Sequence, residues 1–125
     1  MTARTPEDVD RLFGEYVNAG RLDDLVALYE PEGSLVQPTG TATGHAALRE
    51  ALAALISAKL AIKMNVVQVA RGGGDVALLY NEWSATATAP DGAPVSISGK
   101  AREVVRRQPD GRWLFVIDDP YGGGA

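Results

Sequence analysis

The hydrophobic period of this chain changes once, near Leu60, and that change limits the fold more than any other feature. Before it, apolar residues recur three and four apart: Val9, Leu12, Phe13, Tyr16 and Val17, then Leu22, Leu25, Leu28 and Tyr29, then Leu48, Leu52, Leu55 and Ile56. That is the spacing of a buried helical stripe. After it, Leu60, Ile62, Met64 and Val66 alternate with Ala61, Lys63 and Asn65, the period of a strand with one covered face. Helices followed by strands that are joined by tight turns mean an α+β architecture with a mainly antiparallel sheet.

Local punctuation sets the boundaries. Thr5 suits a cap, Pro6 the first helical position, and Glu7 and Asp8 the positive end of the helix dipole; Gly20 ends this first helix. A second short helix carries Leu22 to Tyr29 and closes at Pro31, and "GSLVQP" is a short strand or extended segment. A third helix runs from near Thr43 to about Ile56. "RGGGD", "PDG" and "QPDG" are turns. Between them lie strands over Val76 to Thr88 and Val95 to Arg107, then a last strand, "RWLFVID", and a loose tail over 120–125. Strands this long bend or bulge. The expectation is a single domain, 1–125. Three N-terminal helices pack on a strongly curved, mixed, mainly antiparallel sheet, a cone-shaped roll with a pocket inside.

Composition removes several function classes. The chain has no cysteine, so there is no disulfide framework and no thiolate metal site. Net charge is −4, and the arginines form no continuous stripe for nucleic acid. "AALREALAALISAKLAI" is interrupted by Arg49, Glu50 and Lys59, too charged for a membrane span. "MTARTPEDVDR" has no apolar run of the kind a secretory leader needs, so a cytoplasmic location is expected. His45 is the only histidine and makes no metal set with a neighbour. Ser84, Ser96 and Ser98 have no nearby base, and "RGGGD" lacks the lysine of a phosphate loop. No cofactor or metal is expected.

One residue breaks the pattern of the strand "ISGKAREVV". Ile97, Gly99, Ala101, Glu103 and Val105 share one side; Ser98, Lys100, Arg102 and Val104 share the other. Glu103 is the only charge on the apolar side. Burial raises the pKa of a carboxyl and favours the neutral acid, which donates a hydrogen bond to a developing oxyanion. The competing reading is a carboxylate paired with an arginine such as Arg102. Trp83 either lines a pocket or fills the core. Asp118 ends the last apolar strand, as a base at the pocket or as a solvated strand end. Ser96, Ser98, Lys100, Arg102 and Arg106 point outward, on a face that is solvated or pairs across a two-fold axis.

"DLVALYEPEGSLVQPTGTATGHAALREAL" and "DGRWLFVIDDPYG" resemble the nuclear transport factor 2-like superfamily, in its SnoaL-like and ketosteroid isomerase-like branch. The resemblance covers nearly the whole chain. It implies a cone with an apolar cavity, often dimeric through the outer sheet face. By the same resemblance Tyr16 stands where ketosteroid isomerases carry an oxyanion-donating tyrosine, and Glu103 where they carry a protonated aspartate. Gln37, in "VQPTG", occupies the place of their general base and takes up no proton. Asp118 matches an aspartate of limonene epoxide hydrolase-like members, whose partnering arginine and aspartate are replaced here by Glu82 and Ser84.

These readings converge on a small-molecule enzyme. It would transfer a proton (isomerisation, cyclisation or dehydration) on an apolar carbonyl or polyketide-like substrate. Glu103, Tyr16 and Asp118 are the expected catalytic residues, and Gln37, Trp83, Phe13 and Phe115 the expected substrate contacts. The alternative is a non-catalytic module that binds an apolar ligand or pairs as a homodimer, without the base that Gln37 replaces.

Overall fold

The computed structural model describes residues 2–124. Its helices are α1 (Pro6–Ala19), α2 (Leu22–Val26) and α3 (His45–Ser57). Its strands are β1 (Tyr29–Gln37), β2 (Gly40–Thr43), β3 (Ala61–Lys63), β4 (Val66–Gly72), β5 (Val76–Thr88), β6 (Pro94–Arg107) and β7 (Trp113–Asp119). The sheet order is β2-β1-β7-β6-β5-β3, with β4 also on β5. β1 and β7 run parallel, and the other pairs antiparallel. This is the expected α+β fold, three helices on a mixed, mostly antiparallel open sheet. No helix among the described residues is long and apolar enough to cross a membrane.

α1 begins as expected. The Thr5 hydroxyl accepts from the Asp8 amide at 3.3 Å, and the Asp8 carboxylate accepts in return from the Thr5 amide at 3.2 Å. Gly20, at φ 70°, ends it in the left-handed conformation that glycine tolerates. The helix buries Val9, Leu12, Phe13, Tyr16 and Val17, and Asp10 with them.

Three boundaries differ from the sequence reading. Tyr29 lies in β1, not on the second helix, because the Leu28 carbonyl accepts from the Phe115 amide at 2.8 Å and draws the chain into the sheet. β2 is an additional strand, and the third helix starts at His45, after Gly44 at φ 87°. The alternation through Leu60 to Val66 is broken between β3 and β4. There Asn81 Oδ1 accepts from the Asn65 amide at 2.8 Å, and the Glu82 amide donates to the Asn65 carbonyl at 2.9 Å.

One irregularity shapes the interior. Val104 pairs with Ile117 but Val105 pairs with Phe115, so Val116 is an extra residue on β7. Phe115 and Asp118 are three apart, and strict alternation would place them on opposite faces. The bulge lets both be buried.

The outer face is less polar than expected. Leu78, Val104 and Ile117 form one row across three strands, and the Arg102 guanidinium lies 4.1 Å from the centre of the Tyr80 ring. The segment expected to trail after Asp119 is docked. The Gly123 amide donates to the Lys100 carbonyl at 2.8 Å, and a Cβ on Gly123 would come within 2.6 Å of the Lys100 side chain.

Candidate functional site

A row of four residues crosses the inner face of the sheet. Leu35 on β1 pairs with Asp118 on β7, Asp118 with Glu103 on β6, and Glu103 with Leu79 on β5. One step along, Asn81 pairs with Ala101, and one further Trp83 pairs with Gly99. A Cβ on Gly99 would lie 2.8 Å from the Trp83 ring, so the indole covers the glycine because no side chain is there. Strand alternation therefore brings two carboxyls, an amide and an indole to one surface.

These residues line a cavity of about 160 Å³. Glu103, Asp118 and Asn81 form its buried end. Phe13, Leu35, Leu60, Ile62 and Met64 make the walls apolar. Pro38, Ile97 and Tyr121 are exposed and mark the mouth. The docked C-terminal segment supplies part of the wall: Trp83 Nε1 donates to the Pro120 carbonyl at 2.7 Å, and the Trp83 and Tyr121 rings meet edge to face at 5.5 Å.

The buried end is rich in acceptors and poor in donors. The Tyr29 hydroxyl donates to Asp118 Oδ2 at 2.5 Å. Asn81 Nδ2 donates to Glu103 Oε2 at 3.3 Å, and the Asn65 amide fixes this orientation by occupying Asn81 Oδ1. Asp10, fully buried on α1, lies close enough to Glu103 for one proton to join their carboxyls. No other donor reaches either Asp10 oxygen or Glu103 Oε1 among the described residues. Two ionised carboxylates share no hydrogen bond; one proton between them makes the bond. No ion pair among the described residues involves Asp10, Glu103 or Asp118.

The consequence is proton retention. Burial, then the charge of Asp10 and its hydrogen bond, hold the Glu103 carboxyl well above the ordinary glutamate range. Burial pushes Asp118 up to about 7, against the pull of the Tyr29 hydrogen bond, and Asp10 up to about 6. Burial and the adjoining Asp118 raise Tyr29 well above an ordinary phenol, so it remains a donor. No group of three His, Cys, Asp or Glu among the described residues is arranged to hold a metal ion.

Of the expected site residues, Glu103, Asp118, Gln37, Trp83 and Phe13 all line the cavity. Tyr16 and Phe115 do not. Tyr16 is buried in the helix–sheet core with the Arg21 guanidinium 5.4 Å from its ring, and Phe115 packs against Phe13 and Tyr29 at 6.0 and 4.9 Å. The hydroxyl that reaches a site carboxyl is that of Tyr29. Arg102 does not neutralise Glu103; it donates to the Ala101 carbonyl and covers Tyr80. Asp10 and Asn81 had a sequence signature. Asp10 lies three before Phe13 and seven before Val17 on the buried stripe, and Asn81 alternates with Leu79 and Trp83. Tyr29 had none, since its place depends on the pairing of β1 with β7.

A family model described as a SnoaL-like domain matches residues 9–116. No curated protein matches the sequence at a significant level. Solved structures of the same fold are numerous. A ketosteroid isomerase-like protein from Erwinia carotovora atroseptica superposes with TM-score 0.80 at 17% identity, covering 90% of this chain and 89% of that one. An NTF2-like protein with a cystatin-like fold from Novosphingobium aromaticivorans gives 0.75 at 21%, covering 94% and 80%. The epoxide hydrolase/cyclase-like enzyme SalBIII, of pyran ring formation in the polyether salinomycin, gives 0.67 at 21%, covering 92% and 88%. At these identities the likeness is one of fold.

Proposed function

The chain belongs to the SnoaL-like domain family, and from that premise we propose that it is a general acid–base catalyst acting on a small, neutral, oxygen-bearing apolar molecule. The observation that carries this reading is the direct pairing of Glu103 with Asp118 at the buried end of an apolar cavity, without a cation. Two carboxyls held at different affinities for a proton divide the acid and base roles. Asp118, pushed up to about 7, sits near the pH at which a base both holds and releases a proton. Tyr29 occupies its Oδ2, which leaves Oδ1 for the ligand. Glu103, neutral, donates to the ligand oxygen. Asp118 takes a proton from a carbon next to that oxygenated carbon and returns it elsewhere, which is isomerisation; passing that proton to a hydroxyl on the adjoining carbon, which then leaves as water while the double bond forms, is dehydration.

The cavity argues for size and charge. At about 160 Å³ it is comparable to a cavity of roughly 150 Å³ that accepts benzene, so the buried part of the ligand is about one ring. Near neutral pH the ionised part of the acid cluster, Asp10 and a share of Asp118, repels an anion.

A direct test uses 2-cyclohexenone as a probe in deuterated buffer. NMR reads deuterium entering the positions next to the carbonyl and at the far end of the enone. Exchange that needs the wild-type protein and disappears in Asp118→Asn supports the reading. The second reading, a binding module, rests on Gln37 at the position of the family's base. It predicts saturable quenching of Trp83 by the enone with no exchange.

A further inference from the structure

We propose that Asp10 and Glu103 hold a single proton between them, and that Asp10 is the positioning residue that keeps Glu103 in its acid form. The argument begins with donors. Asn81 Nδ2 makes Glu103 Oε2 an acceptor, so a proton on Glu103 belongs on Oε1. Glu103 Oε1 and both oxygens of Asp10 are buried without any other donor. A buried carboxylate without a donor costs several kcal/mol. One proton between Oε1 and Asp10 satisfies both groups, and neither state with zero or two protons does so as well. A sharing pair of this kind titrates as a unit.

No cation is paired with either carboxyl among the described residues. Asp118 on β7 and Tyr29 on β1 are the other titratable groups that act on the pair, and Asp119 acts on Asp118. His45 meets Tyr29 only at its backbone carbonyl. Asp10 does not line the cavity, whereas Glu103 does. A ligand can therefore take the proton only from Glu103, whose carboxyl must first turn Oε1, buried beside Asp10, toward the cavity. Asp10 acts through Glu103 in two ways: its negative charge disfavours the glutamate anion, and its oxygens hold the acid proton while the cavity is empty. The shared proton stands by itself; its use in catalysis rests on the acid role proposed for Glu103.

Carbon-13 NMR of the side-chain carboxyls, read from pH 4 to 9 without ligand, tests the pair. In the wild type, the pair should release a first proton near pH 6 and keep the second above neutral pH, each step registering at both carboxyls. In Asp10→Asn, the Glu103 midpoint should fall by at least one unit, a tenfold change in proton affinity, and Asp10→Glu should restore it. If Asp10→Asn does not fold, Asp10→Ser removes the same charge. An unchanged Glu103 midpoint, or both carboxyls titrating below pH 5 in the wild type, overturns the proposal. Enone binding is the second readout: its loss at high pH should shift to lower pH in Asp10→Asn. A shifted midpoint without any enone binding would keep the shared proton and reject the acid role of Glu103.

Discussion

Glu103 on β6 and Asp118 on β7 are direct cross-strand partners on the inner face of the sheet, both buried. Like charges placed opposite each other destabilise a sheet. With no cation paired to either carboxyl, the fold tolerates the arrangement by keeping protons on it. The cavity's chemistry follows from this one register.

Stability should fall as pH rises from about 4 to about 7. Asp10 and Asp118 ordinarily lose their protons near 3.8, and the folded protein keeps them to about 6 and about 7. The folded state then binds more protons than the unfolded one, so their contribution is complete below pH 4 and is lost as pH approaches 7. The slope is on the order of 1.4 kcal/mol per pH unit for each group within its window. Urea midpoints at pH 5 and pH 8 check this; a higher midpoint at pH 8 would contradict it.

Tyr29→Phe should weaken the fold by about 1–3 kcal/mol, the usual result of leaving a buried acceptor without its donor. Because the Tyr29 hydroxyl pulls the Asp118 pKa down, its removal should move Asp118 ionisation to above 7. Carboxyl NMR reads the shift and urea unfolding reads the stability.

Glu103→Gln removes the acid but preserves the volume of the side chain. Deuterium exchange into the enone should drop by about 10²-fold or more, the usual contribution of a positioned acid. Enone binding should persist and lose its dependence on pH. Exchange at the wild-type rate would exclude Glu103 from the reaction.

Gly99→Ala tests the floor under Trp83. The added Cβ meets the indole at 2.8 Å and forces the ring to move. Overpacking of this kind costs about 1–3 kcal/mol. Displacing the ring should also strain the bond from Trp83 Nε1 to the Pro120 carbonyl, loosening the C-terminal wall. Faster proteolytic trimming near Tyr121 and weaker enone binding are the expected results.

The sequence by itself determined the fold class and the inward position of Glu103. Both follow from local periods: helical spacing before Leu60, alternation after it, and turns that keep successive strands antiparallel. Alternation also placed Trp83 on the inner side, because a strand's side chains leave no choice beyond two faces. What lies opposite a residue is not local. Tyr29 sat at helical spacing with Leu25, yet β1 runs parallel to β7 and carries its hydroxyl to Asp118. Asp118 reaches the cavity while Phe115 stays buried in the core behind it only because Val116 bulges from β7. Asp10 fell on the buried stripe of α1, and its meaning depended on the helix meeting β6 at Glu103. The glycine-rich end looked free, and it docks because Gly122 and Gly123 have no side chains to keep it off Asp119 and Lys100. Tertiary structure decided these points because each is a contact between segments far apart in sequence, formed only when the whole sheet closes on α1.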